Sequence, residues 1–223
     1  MGNDPGILDA RPHQEVEQWQ GKSAQIAGEI LETHGTGGRA LPSRRRSKPA
    51  QAARTSRIDI LVNNAAKQGK AVERFEDIDA ARVEETFRTN IISMFHLVRH
   101  ALPHMAEGSS IVNVASIQAY KPSAVILDYA STKGAIVTFT KGLAQELIQR
   151  GIRVNCVAPG PVWTPLVVQS FSAEKNAEFG KDSPMGRPAQ PAELAPAFVF
   201  LASPEASYVN GEVLGVTGGK PLG

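Results

Sequence analysis

Cysteine is nearly missing from this chain of 223 residues: Cys156 is the only one, so no internal disulfide can form, and the composition fits a reducing, cytoplasmic setting. Charge of one sign is not in excess either. A formal net charge of +2 gives no strong field to draw the protein to nucleic acid or acidic lipid, and neither is expected as a partner. No run reaches the roughly 18 apolar residues of a membrane helix, and the polar opening MGNDPGILDARPHQ has no signal-peptide core. A chain without a membrane span or export signal is therefore expected. What is present is a hydrophobic fraction of 42%, enough to close one sizeable core as a single domain.

From Ile58 onward, short runs rich in β-branched residues alternate with longer helical patterns, which predicts a parallel sheet covered by helices. The strands are predicted at Ile58–Val62, Ser110–Val114, Ile152–Val157 and Glu212–Val216. Apolar residues at helical spacing predict helices over Ala80–His104, Tyr129–Arg150 and Pro191–Ala202, with Gly151 as the stop of the second. The fold class is thus α/β, a doubly wound, Rossmann-like sheet. Residues 1–57 read differently, crowding Gly, Pro, Arg and Ser into HGTGGRALPSRRRSKP. Ser23–Ala27 is expected as a strand, Gly28–His34 as a brief helix, Arg39–Leu41 as a strand fragment and residues 1–20 as a flexible arm.

The segment SIQAYKPSAVILDYASTKGA carries the chemistry. Ser116 follows an apolar strand, and Tyr129 and Lys133 stand four apart in a helical pattern, which puts them on one face about 6 Å apart along the axis. A lysine ammonium near a phenol favours the phenolate, whose ordinary pKa of about 10 is too high for a base at neutral pH. Tyr129 can then act as general acid or base, with Ser116 holding the substrate oxygen as it changes between alcohol and carbonyl.

Tyr-x-x-x-Lys with a serine thirteen positions before the tyrosine resembles the active-site pattern of the short-chain dehydrogenase/reductase family. Further matches follow in order: NNAA at Asn63–Ala66, Asn90 in FRTNIISMF, Pro159–Gly160 after IRVNCVA, Thr164, and the closing VNGEVLGVTGG. The likeness runs from about Arg57 to the end, so residues 58–223 read as an intact part of such a domain within 21–223. The resemblance implies hydride transfer between NAD or NADP and an alcohol or carbonyl substrate, and a homo-oligomer built through Ala80–His104 and Tyr129–Arg150. It implies that Asn90 completes a catalytic set with Ser116, Tyr129 and Lys133, and that Lys133 and Tyr129 also meet the cofactor. Pro159, Gly160, Val162 and Thr164 are implied at the nicotinamide end, Asn63 and Ala65 at the adenosine half, and Ser116, Gln118, Tyr129 and Trp163 at the substrate. DILVNNAAKQ and VAPGPVWTPL resemble the glucose/ribitol dehydrogenase-like or aldehyde reductase subgroup, implying a polyol, sugar or aldehyde, with Trp163–Met185 as a lid.

Family members open with Thr-Gly-x-x-x-Gly-x-Gly between a strand and a helix, where backbone N–H groups and the helix dipole meet the pyrophosphate. This chain has no such run. QGKSAQIAG resembles the first strand up to the first glycine, and EILETHGTGGRALP resembles the end of the second helix and the third strand, as if the stretch between were deleted. Gly35, Gly37 and Gly38 do not have the spacing to replace it. Weakened cofactor binding is therefore expected, and the alternative to an enzyme is an impaired relative that serves at most as an oligomerisation partner.

Blander readings apply elsewhere. His96, His100 and His104 repeat every four residues, which suits a metal, but no carboxylate or cysteine completes a set and a solvated helix stripe is the reading adopted, with no metal expected. Arg44–Arg46 reads as a solvated loop and Cys156 as a small core residue. Trp163 is open between stacking on substrate and packing beside the Pro-Gly turn.

Overall fold

The computed structural model describes residues 57–223, which fall within the unit Thr55–Gly223. The expectations for the arm at 1–20, Ser23–Ala27, Gly28–His34, Gly35–Gly38, Arg39–Leu41 and Arg44–Arg46 lie outside the described residues. Four runs dense in valine and isoleucine form β1 (Ile60–Asn63), β2 (Ser110–Val114), β3 (Arg153–Pro159) and β4 (Val213–Val216). All pair in parallel, in the order β1-β2-β3-β4. Burial on both faces explains why β2 and β3 read as almost continuous apolar runs. β3 reaches two residues beyond the expected end because Ala158 and Pro159 pair with Gly215 and Val216.

The helices are α1 (Ala80–Phe87), α2 (Ser93–Ala101), α3 (Leu127–Leu147), α4 (Pro165–Ser170), α5 (Ala173–Glu178) and α6 (Pro191–Ala202). The helix expected over Ala80–His104 is one path with a π-turn at Arg88–Ile92 and a final 3-10 turn at Leu102–His104, where Pro103 cannot continue an α-helix. α3 ends at Leu147, followed by a 3-10 turn and then Gly151 at φ 67°. A Cβ there would come within 2.5 Å of Glu107 Cγ, so glycine is required for both reasons.

Helices cover both faces of the sheet. Val98 and Ala101 of α2 and Ala144 and Leu147 of α3 pack on Ile111, Ile152 and Val154, while Leu201 of α6 packs on Val112 and Val157 from the other side. The alternation of side chains along β2 and β3 divides these two clusters. Buried Arg153 at the start of β3 donates to the carbonyls of Leu201 and Ser203, both at 2.9 Å, and Ser110 Oγ donates to Leu201 O at 3.0 Å. These donors satisfy the carbonyl end of α6 and suit its dipole. Among the described residues no helix is long and apolar enough to cross a membrane.

α1 and α3 are joined by an ion pair. Arg82 meets both carboxylate oxygens of Asp128, at 2.9 and 2.8 Å, and Thr86 Oγ1 donates to Asp128 at 3.1 Å. The third guanidinium nitrogen donates to Lys70 O at 2.7 Å. Burial works to raise the Asp128 pKa, but the hydrogen bonds from Arg82, the Tyr129 N–H and Thr86, with the arginine charge, hold it below its usual value. That stabilisation is present at neutral pH and is lost as pH falls through the lowered value. Because the carboxylate is fully buried, Asp128→Ala leaves the arginine without its partner and should cost about 3 kcal/mol in urea unfolding at neutral pH. A loss under about 1 kcal/mol would mean that solvent substitutes for the carboxylate.

Candidate active site

Along α3, the residues Tyr129, Lys133, Ile136, Thr140, Ala144 and Leu147 are buried at intervals of three and four. This is the apolar stripe that seats the helix on the sheet, and its first two members are a phenol and an amine. α3 packs beside parallel strands whose carboxyl ends lie at its start, the place where open α/β sheets bind ligands. Ser116 follows β2 there and caps a short turn, its hydroxyl accepting from Gln118 N at 3.2 Å. Ser116, Tyr129 and Lys133 share a cavity of about 1070 Å³ with Pro159, Gly160, Val162 and Thr164. With Gln118, which lines it too, the structure brings together eight of the residues singled out from sequence.

Lys133 Nζ donates to Val114 O at 2.8 Å and stands 5.2 Å from the centroid of the Tyr129 ring. Burial is the dominant influence on both groups. It pushes the tyrosine up to about 12, against a pull from the Ser116 hydroxyl, and pushes the lysine down to about 8, against a small effect of Cys156. Here the Lys133 ammonium donates to a backbone carbonyl, and burial, not a neighbouring charge, sets the direction of the Tyr129 shift.

The other implied residues fall in different places. Asn64 and Ala66 line the cavity, whereas Asn63 and Ala65 do not. Asn63 turns into the sheet, where its amide donates to Asn113 Oδ1 at 2.8 Å. Asn90 is wholly buried away from the cavity: its side chain accepts from Lys67 N at 2.7 Å and donates to Lys67 O at 2.9 Å and Thr132 Oγ1 at 3.0 Å. Gln118 lines the cavity, but its carbonyl is taken by Ser123 N at 2.7 Å. Trp163 does not line it; its ring is exposed and its centroid lies 6.3 Å from that of Phe179, itself a lining residue.

Gly160 has to be glycine, since a Cβ would fall 2.7 Å from Thr217 O. Its N–H donates to Val216 O at 2.9 Å, and Ala189 N to Pro161 O and Trp163 N to Ala189 O, both at 2.9 Å, fix the wall behind it. Leu166, Phe171 and Lys175, from the segment Trp163–Met185 expected as a lid, also line the cavity, as does Ile126, which the sequence reading did not single out. α4 and α5 have six residues each, too short for a helical period to reveal them. Cys156 is fully buried and its thiol is pushed up to about 11 by burial, as a core residue would be. His96, His100 and His104 are exposed.

Parallel sheet, helices on both faces and a Ser-Tyr-Lys group at the strand ends define a short-chain dehydrogenase/reductase architecture, and comparison with known proteins agrees. The family described as enoyl-(acyl carrier protein) reductase matches residues 48–220, and this chain belongs to the short-chain dehydrogenase/reductase family. It is 59% identical over 162 residues to the glucose and ribitol dehydrogenase of Daucus carota, covering 73% of this chain and 55% of the carrot protein. It is 57% identical over 164 residues to NADPH-dependent aldehyde reductase 1, chloroplastic, of Arabidopsis thaliana, covering 73% and 57%. Among solved structures, a glucose/ribitol dehydrogenase of Brucella melitensis superposes with a TM-score of 0.66 at 36% identity, over 73% of this chain and 65% of that one. A 3-ketoacyl-(acyl-carrier-protein) reductase from the same organism, complexed with NADH, gives 0.65 at 33%, over 73% and 67%. The chain spans about half the length of the curated relatives it matches.

The cavity suits the nicotinamide end of a dinucleotide. Gln68 lines it, and Gln68 Nε2, in the loop after β1, is buried without a hydrogen-bond partner, leaving a donor for a polar ligand. The described residues include no glycine-rich phosphate loop.

The lysine makes a testable demand. Lys133 is charged in the unfolded chain up to about 10.5 but in the folded one only up to about 8, so its burial opposes folding at neutral pH and ceases to as pH rises through that window. Lys133→Met should therefore be more stable relative to the parent at pH 7 than above pH 10.5, the difference shrinking by about 3 kcal/mol in urea unfolding. A difference independent of pH would show an ordinary lysine.

Proposed function

We propose that this protein is a nicotinamide-dependent oxidoreductase that interconverts an alcohol and a carbonyl in a polyol, sugar or aldehyde. The observation that carries the reading is the sharing of one cavity by Ser116, Tyr129 and Lys133 with the Pro159–Thr164 wall. The names of the carrot and Arabidopsis relatives support the substrate class. Asn64, Ala66, Pro159, Gly160, Val162 and Thr164, with Tyr129 and Lys133, would hold the NAD or NADP, Asn63 backing them from the sheet. When bound, the nicotinamide supplies or accepts the hydride.

The chain's own residues manage the proton. Tyr129, held protonated by burial, is prepared to donate its phenolic proton to the oxygen of a carbonyl under reduction, while the Ser116 hydroxyl donates a hydrogen bond to the same oxygen. For oxidation Tyr129 must give up its proton first, and Lys133 is the cation close enough to favour that once it turns from Val114 O. Asn90 serves this site by holding the loop after β1 against α3 rather than by touching substrate. A cytoplasmic location goes with the single cysteine. Exposed Phe95, Leu97 and Ile148 on α2 and just past α3 support a homo-oligomer through those helices.

Tyr129→Phe should reduce turnover of ribitol, glucose or small aldehydes by about 100-fold or more with cofactor binding unchanged. Normal turnover would refute the assignment. Calorimetric titration with NAD(H) and NADP(H) tests the cofactor directly. Micromolar binding of either supports the enzyme, and no binding of any leaves an oligomerisation partner.

A further inference from the structure

One side chain that does not line the cavity is bonded to two segments that do. The Arg82 guanidinium spends all three nitrogens: Nε and Nη2 donate to the two carboxylate oxygens of Asp128 at 2.9 and 2.8 Å, and Nη1 donates to Lys70 O at 2.7 Å. Asp128 immediately precedes Tyr129 in the first turn of α3, and Lys70 stands two positions after Gln68 in the loop after β1. No side chain caps α3 at Ile126, so the hold on that first turn falls to the fully buried Asp128 carboxylate and its donors, Arg82 and Thr86. Arg82 is fixed in turn at the start of α1, where Asp79 accepts from its N–H at 2.7 Å.

Gly69 shows how closely the guanidinium is fitted. A Cβ there would fall 2.4 Å from Arg82 Nε and 2.5 Å from Cζ, and Gly69 is not among the glycines at positive φ, so the arginine and not the backbone requires glycine. A free side-chain end would swing aside, but this one cannot without breaking its fork on a buried carboxylate. The residues that follow are bonded too: Ala71 N donates to Ser170 O at the end of α4 and Val72 N to Val125 O just before α3, both at 3.0 Å. The loop is thus held at Lys67 by Asn90 and at Lys70 by Arg82, and both side chains also reach α3, at Thr132 and at Asp128.

We infer that Arg82 is a positioning residue for proton transfer at Tyr129: by joining Asp128 to Lys70 it fixes the turn that carries Tyr129 relative to the loop that carries Gln68. The inference rests on the oxidoreductase reading for what Tyr129 does. Arg82 acts through Asp128 and touches no substrate. Lysine cannot take its place, since a single ammonium does not form the two-pronged bond and the third bond at once.

The test is amide hydrogen exchange and steady-state kinetics on the full chain, with each variant read below its own unfolding midpoint. Arg82→Lys keeps the charge and loses the fork. Gly69→Ala keeps every polar group and displaces the guanidinium. Each should speed exchange of the Ala71 and Val72 amides about tenfold. Each should also lower kcat for ribitol, glucose or a small aldehyde about tenfold or more with KM changed less than about threefold, because every residue that lines the cavity is kept. In the double variant the two effects should not add, since Gly69→Ala acts only through the guanidinium that Arg82→Lys has already removed. Gly142→Ala, where nothing lies within 4 Å of the added Cβ, should leave kcat unchanged. An unchanged kcat in Arg82→Lys, an effect on KM alone, or losses that add in the double variant overturns the inference while the oxidoreductase reading stands. A parent chain with no turnover defeats that reading instead, and the clamp is then decided by exchange: faster exchange in both single variants with no further gain in the double upholds it, and unchanged exchange overturns it.

Discussion

The buried amide of Asn90 forms hydrogen bonds to both the N–H and the carbonyl of Lys67 and to the hydroxyl of Thr132. Thr132 in turn donates to Tyr129 O at 2.7 Å. Through these contacts one side chain ties together the loop after β1, the bent helix on which it sits and the start of α3. Asn90 lies inside the π-turn at Arg88–Ile92, where the extra residue rotates the helix relative to a regular α-helical path. A second polar chain runs parallel to it, from Asn63 to Asn113 to Thr140. These buried polar groups bond to one another, Asn63 Oδ1 excepted, and in doing so they tie α3 to the sheet. Tyr129 and Lys133 are positioned as a consequence.

The same burial that places these two residues opposes their charged forms. Each has its neutral state favoured, the phenol at about 12 and the amine at about 8. Burial of the Lys133 amine is a cost in stability that an apolar core would not carry. Arg82 and Asp128, one position before Tyr129, oppose that cost locally by fixing the first turn of α3 to α1. The start of the helix is therefore braced by polar bonds on one side and by its apolar stripe on the other.

Much of this was legible in the sequence. β2 and α6 fall within the expected bounds, since Ser110–Val114 is a β-branched run closed by polar residues and Pro191–Ala202 starts with proline at its first position and a glutamate that closes a capping box. The Ser116, Tyr129, Lys133 group was legible because helix period alone brings residues four apart to one face. What was not legible depends on contacts between distant segments. The π-turn has no signature in composition. α4 and α5 are too short to show a period. That Asn64 rather than Asn63 faces the cavity is decided by the direction in which β1 ends and by the partner Asn113 across the sheet.

By itself the sequence determined the parallel sheet, the helices between its strands and the grouping of Tyr129 with Lys133, because strand and helix periods and a four-residue spacing are local properties. Only the tertiary structure decided the burial of those side chains, the hydrogen bonds by which Asn90 acts as a bracket and the ion pair of Arg82 with Asp128. Desolvation and ion pairing depend on which remote groups arrive beside a residue, and no local pattern encodes that.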